Sequence, residues 1–149
     1  MSTTRRGFTF IEMMVVVTIA GIVGGLALGR ISTYMMQQRV IKASSSLTND
    51  LQQAFALAAR TRKPVRIVLD TTRMELSITD RTQAVAMRKR DIARAYGLSS
   101  KNISFYPSAP LEIYPNGLAA DTMAISLSAS GTSRYIRVSR AGMVQVMVK

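Results

Sequence analysis

Residues 5–25 read RRGFTFIEMMVVVTIAGIVGG. The apolar run that starts here extends from Phe8 to Gly29 and holds 22 residues with one charge, Glu12. About 20 apolar residues suffice for a helix to cross a bilayer. Arg5 and Arg6 stand before the run, which by the positive-inside rule places residues 1–7 in the cytoplasm and the rest of the chain beyond the membrane. Glu12 is the anomaly. A charge inside such a segment costs about 2.5–3.5 kcal/mol at the helix centre on an insertion scale, less near the interface, and it calls for a partner.

Three readings of the segment are open. A secretory signal would have a shorter apolar core and a small-residue cleavage site, for which Ala27-Leu28-Gly29 is the nearest match. The mature product would then be a basic periplasmic protein. A plain single-span anchor fits the length and leaves Glu12 unexplained. The third reading is a resemblance. A short basic leader ending in Gly7, then Phe8, then Glu12 at the fifth position after the glycine, resembles the class III leader of type IV prepilins and type II secretion pseudopilins.

That resemblance implies cleavage between Gly7 and Phe8 by a prepilin peptidase, N-methylation of Phe8, and a mature protein that keeps its apolar helix. It implies a single-pass protein of the bacterial inner membrane with a periplasmic C-terminal domain, later at a filament tip or the cell surface. It also implies that Glu12 pairs with the Phe8 amine of a neighbouring subunit. Physical chemistry supports such a pair, because each charge offsets the desolvation of the other and removing one strands its partner. Glu12 would then set assembly register.

Gly21, Gly25 and Gly29 recur every four residues. On a helix they approach one face, where small residues let another backbone come close. Gly29 stands where many members of this family carry proline, so the chain departs from the pattern there.

Beyond Arg30 a helical pattern continues. Leu47, Leu51, Ala54, Phe55 and Ala58 form an apolar stripe, while Asn49, Asp50, Gln52, Gln53 and Arg60 are assigned to the polar face. Pro64 ends the pattern, since the residue before proline is pushed out of the α region. One helix from Phe8 to about Arg62 would measure roughly 80 Å. After Pro64 the sequence alternates as strands do: Val65, Ile67, Leu69; Met74, Leu76, Ile78; Met123, Ile125, Leu127. Asp70-Thr71-Thr72-Arg73 reads as a turn, and residues 65–79 as a hairpin. Residues 82–102 read equally as a strand with a loop or as a short basic helix. Short turns throughout imply an antiparallel sheet.

The expected fold class is therefore α+β: a long N-terminal helix packed on a C-terminal antiparallel sheet domain. The divisions are residues 1–7 as leader, 8–30 as membrane or filament-core helix, 31–63 as its amphipathic continuation and 64–149 as the β-rich domain. LTNDLQQAFALAARTRKPVRIVLD, and the segment from Ile103 to Val146, are similar to the GspH/FimT-type minor pilins. That similarity implies a place in the complex that primes or tips a type IV pilus or a secretion pseudopilus, with other pilin-like subunits as partners.

Composition argues against chemistry. The 149 residues contain no cysteine and no histidine, which excludes disulfides, thiolate metal sites and the usual general base near neutral pH. No catalytic constellation, cofactor motif or phosphate loop is present, and Asp70, Glu75 and Asp80 read as solvated turn acids rather than a calcium site. The net charge is +12. Losing Arg5 and Arg6 would leave 18 basic against 8 acidic residues, a charge of +10. Arg134, Arg137 and Arg140, with Tyr135 as a stacking platform, are candidates for nucleic-acid contact. A DNA-uptake receptor is thus the alternative function. The Gly-Arg-x-Arg pattern of the DNA-uptake branch is missing, because Gly142 is followed by Met143, Val144 and Gln145.

Overall fold

A computed structural model describes residues 7–81, 86–106 and 110–148, the side chains of 27–29 excepted. The chain divides into two units, Met1–Met35 and Met36–Lys149. Helix α1, Phe10–Thr61, contributes to both.

In the first unit every described side chain is exposed, among them Phe8, Phe10, Ile11, Val17, Ile22, Val23 and Leu26. By length and composition α1 is the one described helix apolar enough to cross a membrane. Among the described residues of this unit none is buried. The helix begins at Phe10 rather than Phe8, and Gly7, Phe8 and Thr9 precede it without regular structure.

In the second unit the remainder of α1 presents Val40, Ala43, Ser44, Leu47, Leu51, Ala54 and Ala58 to the core, all buried. Steps of three and four residues keep these on one stripe. The buried stripe starts at Val40, about two turns before Leu47 where the sequence pattern began it, and Phe55 sits half-buried at its margin. α1 ends at Thr61, and Arg62 takes a left-handed conformation (φ 53°) before Pro64 and the first strand.

Strands β1 (Val65–Asp70) and β2 (Glu75–Asp80) form the expected hairpin, with Ile67 opposite Ile78 and Leu69 opposite Leu76. The Asp70 carboxylate accepts from the backbone amides of Thr72 (2.9 Å) and Arg73 (3.0 Å), closing the turn. Met74, assigned to the strand by its alternation, instead completes this turn at φ 52° with its side chain buried. The ambiguous region contains both candidate structures. Strand β3 (Ala86–Asp91) leads directly into a short helix α2 (Ile92–Tyr96), capped by Asp91 accepting from the Arg94 amide at 2.8 Å. Residues 82–85 of that region, and Pro107, lie outside the described residues. A single 3₁₀ turn, Ser100–Asn102, precedes β4 (Ile103–Tyr106), and β5 is Leu111–Ile113. Three longer strands close the chain: β6 (Met123–Ala129), β7 (Thr132–Val138) and β8 (Val144–Val148).

Every pairing among the described strands is antiparallel, and short turns join β1 to β2, β6 to β7 and β7 to β8. The strands divide between two four-stranded sheets, ordered β3-β2-β1-β5 and β4-β6-β7-β8, where the sequence pattern suggested one. Alternation fixes which face of a strand is apolar but not which strand lies beside it. The inner faces of both sheets and the α1 stripe share one core, from Val40 and Leu51 to Ile67, Leu76, Ile125 and Ile136.

Candidate functional site

The start of α1 is built by a reciprocal cap. Thr9 stands one residue before the helix, and its Oγ1 accepts from the Glu12 amide (3.3 Å). The Thr9 amide donates to Glu12 Oε2 at 2.9 Å, and Thr9 Oγ1 donates to the same oxygen at 2.9 Å. This is the Thr-x-x-Glu capping box, which satisfies amides that the first turn leaves unpaired. It was legible as Thr9-Phe10-Ile11-Glu12, and sequence reasoning missed it by treating Glu12 only as a misplaced charge. A carboxylate at a helix N-terminus also complements the helix dipole. Only Oε2 is engaged; Glu12 Oε1 has no hydrogen-bond partner among the described residues. Around it Phe8, Ile11, Val15 and Val16 line an open apolar hollow.

The Gly7–Phe8 bond lies outside the helix, and Gly7 and Phe8 are exposed. A Cβ placed on Gly21 or Gly25 would meet nothing within 4 Å among the described residues. The surroundings of Gly29, like Arg5 and Arg6, lie outside the described residues.

The second polar centre was assigned wrongly. Asp50, expected on the exposed face of α1, is 1% exposed. Two arginines of β3 hold it: Arg88 Nε lies 2.8 Å from Oδ1, Arg90 Nη2 lies 3.1 Å from the same oxygen, and Arg90 Nε bonds Oδ2. Arg88 also donates to Gln53 Oε1 at 2.6 Å, and Arg90 to the Tyr96 hydroxyl at 3.2 Å. Hydrogen bonding to Asp50 raises the Arg90 pKa further above its ordinary value, against the desolvation that opposes it. The cluster fastens a charged edge strand to the helix. Helical periodicity alone could not reveal it, because the partners lie about 40 residues away along the chain.

The arginine trio near the C-terminus is not one surface. In β7, Ile136 and Val138 face the core, and Arg134, two residues earlier, shares their face and is half-buried. Tyr135 and Arg137 point the opposite way. Arg140 lies past the strand and pairs with Asp121 at 3.2 Å. Cross-strand register instead sets Arg137 opposite Ala124, and Ala124 opposite Tyr106, on the outer face. Among the described residues no group of three or more metal-ligating side chains occurs.

Comparison with known proteins supplies a context. A family model described as the prokaryotic N-terminal methylation motif matches residues 2–28. Two crystal structures of the type IV minor pilin FimU of Pseudomonas aeruginosa (strain PAO1) share the fold. The first, in space group P21, has a TM-score of 0.61 and 20% identity, over 76% of this chain and 92% of that one. The other, in space group P65, has a TM-score of 0.56 and 22% identity, over 71% and 90%. No curated protein matches the chain. The chain thus carries an N-terminal methylation motif and is similar in fold to a type IV minor pilin, and its apolar N-terminal helix is long enough to cross a membrane.

Proposed function

We propose that this protein is a minor pilin or pseudopilin, a structural subunit of the priming or tip complex of a type IV pilus or secretion pseudopilus. The observation that carries the reading is the state of Glu12. It caps its own helix with one oxygen and, among the described residues, leaves the other without a partner, at the head of an exposed apolar helix. Cleavage after Gly7 would create an α-amine on Phe8, next to this carboxylate. In an assembled bundle the amine of one subunit pairs with Glu12 of the next. Gly21 and Gly25 admit close neighbouring helices. Before assembly the helix anchors the protein in the inner membrane with its C-terminal domain in the periplasm. Prepilin peptidase and other pilin-like subunits are its partners, and it needs no catalytic activity of its own.

Mass and N-terminal sequence of the mature chain test the processing: the expected start is N-methyl-Phe8. A chain beginning at Arg30 would instead establish the secretory-signal reading. Glu12→Ala tests assembly. The variant should insert and be processed normally, yet be absent from the complex recovered with its partner subunits; recovery at the wild-type level would overturn the proposal.

A pilus-borne DNA receptor is the second reading, favoured by the outer face that Tyr106, Tyr135 and Arg137 share. Duplex binding that falls steeply with salt and is lost in Arg137→Ala would support it. Absence of binding at low salt would remove it.

A further inference from the structure

Two four-stranded sheets have four edges, and an unguarded edge is a template for another strand. Three of the four are guarded. β3 carries Arg88, Lys89 and Arg90 in its six residues. β5 is three residues long, and its Ile113 is bridged on the outer side by Ala119. β4 is four residues long and follows directly on the 3₁₀ turn. β8 is different. Val144–Val148 reads VQVMV, five residues with no charge and no proline. Val146, Met147 and Val148 are 39%, 46% and 66% exposed, and Met143 just before them is 54% exposed. Val146 faces inward by register with Ile136, so the core-side face of this strand is itself only partly covered.

Charge indicates what completes it. β7 and β8 contain no acid, while Arg137 stands opposite Gln145 and Arg134 opposite Val148. Arg137 has no ion pair among the described residues. Arg134 has its Nε buried without a hydrogen-bond partner among the described residues. Asp121, the acid nearby, is occupied by Arg140.

We infer that β8 is an assembly edge, which receives an extended strand of alternating apolar and acidic residues from a different pilin-like subunit. This rests on the assembly reading above and specifies where it occurs. Backbone pairing supplies the affinity, and side chains at alternate positions supply the choice of partner. Carboxylates on the outward face of the incoming strand meet Arg137, and its apolar residues continue the core-side face that Val146 begins. A second copy of this chain is the poorer occupant, because it would bring a +10 partner and the same unmatched arginines to the same edge.

The chain has no cysteine, so Gln145→Cys carries a thiol-attached photo-cross-linker at one site in the full-length protein. Cross-linking is performed in host membranes with all cognate subunits present, and the adduct is mapped by mass spectrometry. The expected adduct lies in an extended, acid-containing segment of another subunit, with a yield reduced several-fold when Arg137→Glu is added. An adduct to β8 of a second copy overturns the inference, as does a yield unchanged by Arg137→Glu. So does the absence of an adduct while the protein still co-purifies with its partners, an outcome that leaves the proposed function standing. Failure to co-purify at all would bring down the assembly reading beneath it.

Discussion

Glu12 is a residue with two tasks of unequal strength. Its Oε2 completes the capping box of α1 by accepting from Thr9. Glu12→Gln preserves the geometry of the capping box, since Gln serves at that position, but carries no charge for a neighbouring amine. Helix content of the detergent-solubilised protein should therefore stay unchanged in Glu12→Gln while incorporation into the complex falls as in Glu12→Ala. Equal incorporation of Glu12→Gln and wild type would show that the cap is the only role. Gly142 is constrained differently. It sits at φ 78°, and a Cβ there would collide with the Gly117 carbonyl oxygen and touch Phe55 Cε1 at 3.4 Å. Gly142→Ala should lower stability by more than about 1 kcal/mol, because both the backbone and the space are wrong for a side chain. Thermal unfolding of the full chain reads this directly.

Among elements, the attachment of β3 to α1 depends on Asp50. Removing a buried carboxylate leaves Arg88 and Arg90 without their counter-ion. Both guanidinium groups can partly reach water, so the cost should fall at the low end of the range for broken buried pairs, about 3 kcal/mol, in Asp50→Ala. Arg88→Ala should cost less, since Arg90 still satisfies both carboxylate oxygens. The β1–β2 turn responds to pH. Hydrogen bonding from the Arg73 amide, foremost, lowers the Asp70 pKa, and the Thr122 amide followed by Arg140 does the same for Asp121. A depressed carboxylate stabilises the fold above its unfolded pKa and loses that contribution as the pH falls through its folded value. Asp70→Asn keeps the turn's acceptor but not its charge. It should sit below wild type in melting temperature at neutral pH and converge with it in acid.

For the molecule as a whole, the parts legible in advance were those carried by local pattern. The leader, the long helix, the β1–β2 hairpin and the antiparallel character of the strands all follow from periodicity, turn chemistry and the Gly7-Phe8-Glu12 spacing. What escaped were contacts between distant positions. Asp50 looked solvated because its partners are on β3. The division into two sheets escaped for the same reason, since partner choice among strands is non-local. Two local signals were overlooked: the alternation that puts Arg134 and Tyr135 on opposite faces of β7, and the capping box, which the functional interest of Glu12 obscured.

The apolar sleeve of α1, bare from Phe10 to Leu26, has an energetic corollary for a chain anchored as proposed. Fatty acyl tails and the flanks of sister helices are solvents of nearly equal greasiness, so exchanging one for the other changes the hydrophobic free energy little. Recruitment from the bilayer and return to it would then be close to balanced, and the direction of travel would be decided by the polar head of the helix, by interlocking at small residues, and by whatever grips the folded portion outside.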